Sequence, residues 1–135
     1  MSKNITIKRY DEDRDAKCLF ALMQAENDWG DYLSECGMKK YKAALNGSIV
    51  YVLYEGVTCC GFIRAKDDFG FWVNVYDLLV GKTYRGNDYG KMLIDEVCKN
   101  FDTPVSVMSD ADGYYKGQGF AKIIGSVIEL QGKKD

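Results

Sequence analysis

The sequence predicts an α/β layered domain, a mixed and largely antiparallel sheet with helices on both faces. Three observations carry this expectation. Residues 49–54, 57–64 and 71–80 read as consecutive strands, and the turns between them, Glu55-Gly56 and Asp67-Asp68-Phe69-Gly70, are short and polar, which favours antiparallel hairpins. Residues 90–101 repeat apolar side chains at three- and four-residue spacing, the period of a helix that lays one face on a sheet. The whole chain then orders as β, α, α, β, β, β, α, β, α, β, with no repeat, no low-complexity segment and no linker, so residues 1–135 are expected to form a single domain.

From the start, Ile5-Thr6-Ile7-Lys8-Arg9 alternates as a first strand. A polar run from Asp11 to Asp15 leads into a helix with Ala16, Leu19, Phe20 and Met23 on its inner face and Asp13 or Asp15 as cap. Residues 26–32, a loop, interleave acids with aromatics. A second helix spans about residues 38–45, with Met38, Tyr41 and Leu45 on one face and Asn46-Gly47 as its stop. After the three central strands and the long helix, Pro104 opens a strand over 105–108, residues 110–117 form a short helix bracketed by glycines, and a last strand covers about 122–130.

Composition excludes several classes. A formal charge of −2 without a basic stripe argues against a nucleic-acid surface. No apolar run approaches the roughly 18–20 residues of a membrane span, and no signal-peptide core is present at the N-terminus, so a cytoplasmic protein is expected. The five cysteines show no C-x-x-C spacing and there is no histidine, which leaves no ligand pattern for zinc and predicts reduced, structural thiols. Cys59 and Cys60, neighbours in a strand, point to opposite faces.

The functional signal lies between Leu78 and Phe101. Arg85-Gly86-Asn87-Asp88-Tyr89-Gly90 places two glycines and two capping residues immediately before the long helix, so unpaired backbone N–H groups face outward at the positive end of its dipole. That is an anion site, and a diphosphate is its natural ligand. Asp88, as N-cap, can turn its carboxylate onto its own backbone.

The run Leu78, Val80, Tyr84, Arg85, Gly86, Gly90, Leu93 resembles the coenzyme A binding motif of the GNAT superfamily of N-acetyltransferases, Q/R-x-x-G-x-G/A, with Asp88 where the middle glycine is usual. Further on, Gly113-Tyr114-Tyr115-Lys116-Gly117-Gln118-Gly119-Phe120 is similar to that family's F-Y-x-x-x-G-F signature. The likeness also extends to Asp15-Ala16, to Gly61-Phe62-Ile63 and to the strand ending at Val80, and so covers nearly the whole chain.

The resemblance implies an acetyl-CoA-dependent N-acetyltransferase. CoA would be held by Leu78, Leu79 and Val80 at the strand end and by Arg85, Gly86, Asn87, Asp88, Tyr89, Gly90 and Lys91 in the turn and helix start. It implies an oxyanion donor at the Leu78 or Leu79 amide, and Tyr115, or Tyr114 if the turn is shifted by one, as the acid that protonates the thiolate. The first two helices and their loop would line the acceptor pocket, with Glu26, Asp28, Trp29 and Tyr32, beside Asp31 and Glu35, suited to an ammonium group. The expected partner is a small-molecule or protein amine, without nucleic acid or membrane, and the expected assembly a monomer or homodimer.

Chemistry sets its own demands. A lysine-like amine is only about 0.04% neutral at pH 7, a penalty of roughly 4.6 kcal/mol, and one oxyanion hydrogen bond contributes about 2.7–4 kcal/mol. Both a base and an oxyanion donor therefore matter. Without histidine the base must be a carboxylate, and Asp77 is the acid of the strand over 71–80 that leads to the motif; its structural alternative is an aspartate bonded to neighbouring backbone. Glu26, Asp28 and Asp31 are the other candidates. From a different class, a non-catalytic acyl-CoA-binding sensor or interaction module with the same fold also fits, motivated by Asp88 and the missing histidine.

Overall fold

The structure is a computed structural model that describes residues 4–26, 28–108, 121, 122, 124, 125 and 128–130. Five strands form one sheet in the order β1 (Ile5–Arg9), β2 (Ile49–Glu55), β3 (Thr58–Asp67), β4 (Val73–Val80) and β5 (Val105–Val107). The first three pairings are antiparallel and β4 to β5 is parallel. The helices are α1 (Glu12–Gln24), α2 (Gly30–Leu33), α3 (Glu35–Asn46) and α4 (Tyr89–Lys99).

Two apolar cores, one on each face of the sheet, explain why this order of elements folds. On one face, Leu19, Phe20 and Met23 of α1 and Tyr41 and Leu45 of α3 pack against Val50, Val52, Phe62 and Leu79. On the other, Tyr89, Leu93 and Val97 of α4 cover Leu53, Ile63, Val73 and Val75. The alternation of β2, β3 and β4 thus feeds both cores, β1 and β5 turn their apolar side chains to the α4 core, and the helical period of α1, α3 and α4 supplies the facing stripes. Among the described residues no helix is long and apolar enough to cross a membrane. The five cysteines are free thiols, with Cys59 against the α1 core and Cys60 in the α4 core.

Several boundaries differ from the sequence expectation. The cap of α1 is Asp11, whose side chain accepts from the Arg14 N–H at 3.2 Å, rather than Asp13 or Asp15. The expected loop over 26–32 contains the first residues of α2, and α3 starts at Glu35 instead of about 38 because Ser34 caps it, its Oγ accepting from the Gly37 N–H at 3.0 Å. A Cβ at Gly37 would sit 1.9 Å from the Asp31 carbonyl oxygen, so the tight α2–α3 corner needs glycine there. Strand β4 begins at Val73, and β3 extends to Asp67, whose Oδ1 accepts from the Gly70 N–H at 3.0 Å to close the hairpin turn. Strand β5 ends at Val107, one residue early. The expected strand over 122–130 is not formed by the described residues of that segment, and the expected helix over 110–117 lies outside the described residues.

Asp15 was an expected cap and is instead a buried anchor. Its carboxylate is fully inaccessible and accepts from Arg14 Nε and Nη2, both at 2.8 Å, from the Asp11 N–H at 2.9 Å, and from the Tyr54 hydroxyl on β2. Burial pushes this carboxyl up, but the Arg14 and Tyr54 hydrogen bonds pull it down further, so its net shift is below the ordinary carboxylate value. A depressed folded value means that the carboxylate's contribution to stability is fully present above the unfolded value of about 3.9 and is lost as pH falls through the folded one. Asp15→Asn is expected to lower stability at pH 7 by about 1–3 kcal/mol, through donors left without an anionic acceptor. The gap from wild type should shrink on acidification below about pH 4. Urea titrations from pH 7 to pH 2.5 check this, and a gap that stays constant over the whole range would mean that the carboxylate's charge contributes nothing.

Candidate active site at the open edge of β4

Strand β4 is bonded to β3 along its length but to β5 only through Val73, Val75 and the residue between them, paired with Val105–Val107. From Tyr76 to Val80 its other edge has no strand partner among the described residues. The register decides which amides face that edge. The Gly81 N–H donates to the Cys60 carbonyl at 2.9 Å, so by alternation Leu79 and Asp77 aim their backbone groups at β3, while Leu78 and Val80 aim theirs at the open side. The Val80 carbonyl is there indeed, accepting from Arg85 Nε at 3.0 Å. Of the two amides expected as oxyanion donor, Leu78 is therefore the one turned to the opening.

A bulge changes which face the side chains of this edge occupy. Arg64 pairs with Asp77 and Ala65 with Val75, so Tyr76 is an extra residue in β4. Val75 packs in the α4 core, yet Asp77 and Leu79 two and four residues on face α1 and α3, which simple alternation forbids. The Asp77 carboxylate lands among α3 and β3 side chains, where its Oδ2 accepts from the Tyr41 hydroxyl and from Arg64 Nε, each at 2.6 Å. Its structural partners are thus side chains, not the neighbouring backbone. Burial and the adjacent Asp77 charge push the Tyr41 phenol far up, so Tyr41 stays protonated and donates.

Beyond Val80 the chain makes a single 3-10 turn over Lys82–Tyr84 and then the expected motif turn. Gly86 adopts φ +86°, which an L side chain rarely takes, and Asn87 Nδ2 donates to the Tyr84 carbonyl at 2.9 Å. Asp88 holds the N-cap position of α4 but with φ +63° and no side-chain capping bond, which corrects the expected self-capping. The reason is local: in the left-handed region the carboxylate is turned away from the first-turn amides, whereas a capping side chain needs extended backbone. Aspartate is among the few residues other than glycine that tolerate this conformation. Within α4 the first intrahelical bond is Met92 N–H to the Asp88 carbonyl at 3.0 Å, so the Tyr89 and Gly90 amides precede the helix ladder at its positive end.

The remaining sequence-derived candidates separate. Leu79 is buried in the α1 core and Tyr89 in the α4 core, where the Tyr89 hydroxyl donates to Glu55 and that bond pushes its pKa to about 12. Lys91 reaches along its own helix to Asp95, 2.8 Å away. Glu26, expected on the acceptor side, is bound to the motif turn: its carboxylate takes the Arg85 Nη2 donor and lies 3.6 Å from Lys82 Nζ. Asp28 is exposed. Trp29 and Tyr32 do come together, 5.4 Å apart edge to face, and Tyr32 meets Tyr41 at 5.3 Å. Tyr115 and Tyr114 lie outside the described residues.

Beside this aromatic cluster opens a cleft of about 370 Å³ lined by Asp31, Tyr32, Lys40, Tyr41 and Arg64 among others. Arg64 escaped the sequence reading. Its only signal was a lone arginine ending the apolar run Gly61-Phe62-Ile63, and hairpin arithmetic alone would have placed it opposite Tyr76 rather than Asp77.

The model of the acetyltransferase (GNAT) domain matches residues 46–122, more than half of the chain, and the chain belongs to this family of acetyltransferases. A GNAT-family acetyltransferase from Streptococcus pneumoniae is similar in structure, with a TM-score of 0.67 at 26% identity over 96% of this chain and 100% of that one. An aminoglycoside N-acetyltransferase solved in complex with CoA superposes with a TM-score of 0.73 at 13% identity, covering 97% of each chain. A second aminoglycoside acetyltransferase, from an uncultured soil metagenomic sample and bound to sisomicin, gives 0.71 at 18% identity with 97% of each chain covered. The last two share the fold. No curated protein sequence matches the chain significantly.

Proposed function

We propose that residues 1–135 form a single cytoplasmic N-acetyltransferase domain that moves an acetyl group from acetyl-CoA to a primary amine, of a small molecule or a protein, by direct attack in a ternary complex. The observation that carries this reading is the edge of β4 from Tyr76 to Val80, without a strand partner among the described residues, running into the motif turn. It offers the Leu78 amide to a thioester carbonyl and, a few residues on, the Tyr89 and Gly90 amides to a diphosphate. The rest of the set from Leu78 to Lys91 would hold CoA through packing and charge, with Arg85 exchanging or sharing its Glu26 partner.

The chemistry balances without redox. The neutral amine nitrogen attacks the thioester carbon, the Leu78 amide stabilises the oxyanion, the C–S bond breaks on collapse, the nitrogen loses one proton and the thiolate gains one. Tyr115 is the proposed donor of that proton. Asp77 is the proposed acceptor of the amine's proton, through its Oδ1, since both of its described donors sit on Oδ2. Glu26, Asp28, Trp29 and Tyr32 are proposed to shape the approach of the amine.

Isothermal titration with acetyl-CoA, followed by thiol release over an amine panel, tests the proposal. The expected result is micromolar binding and turnover of at least one amine. Binding without any turnover would instead support an acyl-CoA-binding module, and no binding would end both. For Asp77, the kcat/KM profile of Asp77→Asn against pH is decisive: a base role predicts loss of the acidic limb together with at least a tenfold fall in kcat. An unaltered profile with a lower melting temperature would leave Asp77 as the anchor of Arg64.

A further inference from the structure

Arg64 holds spare hydrogen-bonding capacity in a place where a side chain rarely does. Its side chain is 13% exposed, and its guanidinium lies over two rings, 5.5 Å from the Tyr41 centroid and 5.4 Å from that of Tyr76. A guanidinium offers five N–H donors in a fixed fork. Nε is spent on Asp77, Nη1 reaches Ser48 Oγ at 3.3 Å and the Tyr41 hydroxyl also bonds to the guanidinium, so three partners among the described residues share a group with five donors. The two rings and the Asp77 bond fix the orientation of this fork before any ligand arrives, and the group lines the cleft at whose rim Lys40 adds a second, exposed cation.

We infer that the acceptor is an amine that also carries a carboxylate, a small amino acid or a molecule ending as one, whose carboxylate seats on the Arg64 guanidinium with Lys40 beside it. This rests on the acetyltransferase reading above and narrows its substrate class. The chemistry favours a carboxylate over a simple polyamine. Arginine forks match planar oxyanions, and neither Arg64 nor Lys40 can accept a hydrogen bond from an ammonium group. Position agrees as well. Arg64 is the cross-strand partner of Asp77, which immediately precedes Leu78, so the two strand positions are offset by about one residue's rise, roughly 3.3 Å, along the direction of β4. A carboxylate held there leaves an amine a few bonds away within reach of a thioester carbonyl at Leu78. Tyr32 and Tyr41 supply apolar walls for the carbon skeleton between the two groups. Of the acids expected to attract a polycation, Asp31 lines this cleft at its exposed rim, whereas Glu26 is paired with Arg85 and Lys82, and Asp77 with Arg64.

The test compares matched acceptors: each of a panel of amino acids with its methyl ester and its decarboxylated amine, by thiol release with acetyl-CoA held saturating. Wild type is expected to favour the free carboxylate at least tenfold in kcat/KM, mostly through KM. Arg64→Lys, which keeps the charge but loses the fork, should bring that ratio close to one. Lys40→Gln, at an exposed position that folding tolerates, should lower it several-fold. Circular dichroism and the acetyl-CoA Kd of each variant separate a folding defect from a specificity defect. Esters and amines turned over as well as the free acids, or variants that lower both members of each pair equally, would overturn this inference while leaving the acetyltransferase reading intact. Turnover of none of this panel by a protein that binds acetyl-CoA would overturn this inference, and the acetyltransferase reading falls with it only if the wider amine panel is not turned over either.

Discussion

Tyr115→Phe is expected to lower kcat at least tenfold while the affinity for CoA stays within a few fold. Phenylalanine keeps the ring and nearly all the volume and removes only the donor, so the substitution isolates the proton that the thiolate must receive. General acid catalysis of this kind contributes about 10²- to 10⁴-fold, which sets the expected range. The reading depends on the pairing of the two outcomes. Equal losses of affinity and rate would assign the hydroxyl to positioning CoA, and a wild-type kcat would end the catalytic assignment, with Tyr114→Phe then the variant to measure. Melting temperature must be followed beside the kinetics, because a buried phenol's lost hydrogen bond costs about 1 kcal/mol and can imitate a rate defect.

The second large effect is expected in the motif turn. Gly90, buried in the first turn of α4, contributes an amide at the positive end of the helix. Gly90→Asp sets a carboxylate where the diphosphate charge would lie and should weaken acetyl-CoA at least tenfold by titration. Gly90→Ala keeps the amide and raises helix propensity by up to about 1 kcal/mol, so it serves as the steric control. Should Gly90→Asp bind as tightly as wild type, the diphosphate site is elsewhere. Asp88→Gly is the converse change. Because the Asp88 side chain makes no capping bond and its φ is +63°, glycine relieves a left-handed conformation instead of removing a cap. That relief, about 1–2 kcal/mol at most, is opposed by about 0.4–1 kcal/mol of unfolded-state entropy, which leaves stability nearly unchanged. Affinity should rise about threefold or more, and the gain should fade at high salt. A loss of affinity would show that the aspartate supports the turn.

The sequence by itself determined the layered fold, the order of the strands from β1 to β5 with α1, α3 and α4 between them, the two hairpins and the position of the motif turn, but not the short α2. These are properties of short segments: a period of two or 3.6, a glycine at a bend, a polar pair between apolar runs, each readable within about ten residues. The same locality let the turn from Arg85 to Gly90 be recognised and Tyr41 be assigned to an inward face. Long-range pairing was beyond it. Nothing near Glu26 marks it as the partner of Arg85, and no local feature makes Asp15 the acceptor of a hydroxyl on β2. Which of Leu78 and Leu79 turns its amide outward depends on the register with β3, set by the Gly81 to Cys60 bond. The bulge at Tyr76 decided most of all. One unpaired residue moves Asp77 from the α4 face to the α3 face, where it meets Arg64 and Tyr41, and so turns a strand aspartate into the wall of a cleft. Such a slip alters no local pattern, because alternation is intact on either side of it; only the cross-strand partners, fixed by packing two cores at once, select where the extra residue goes.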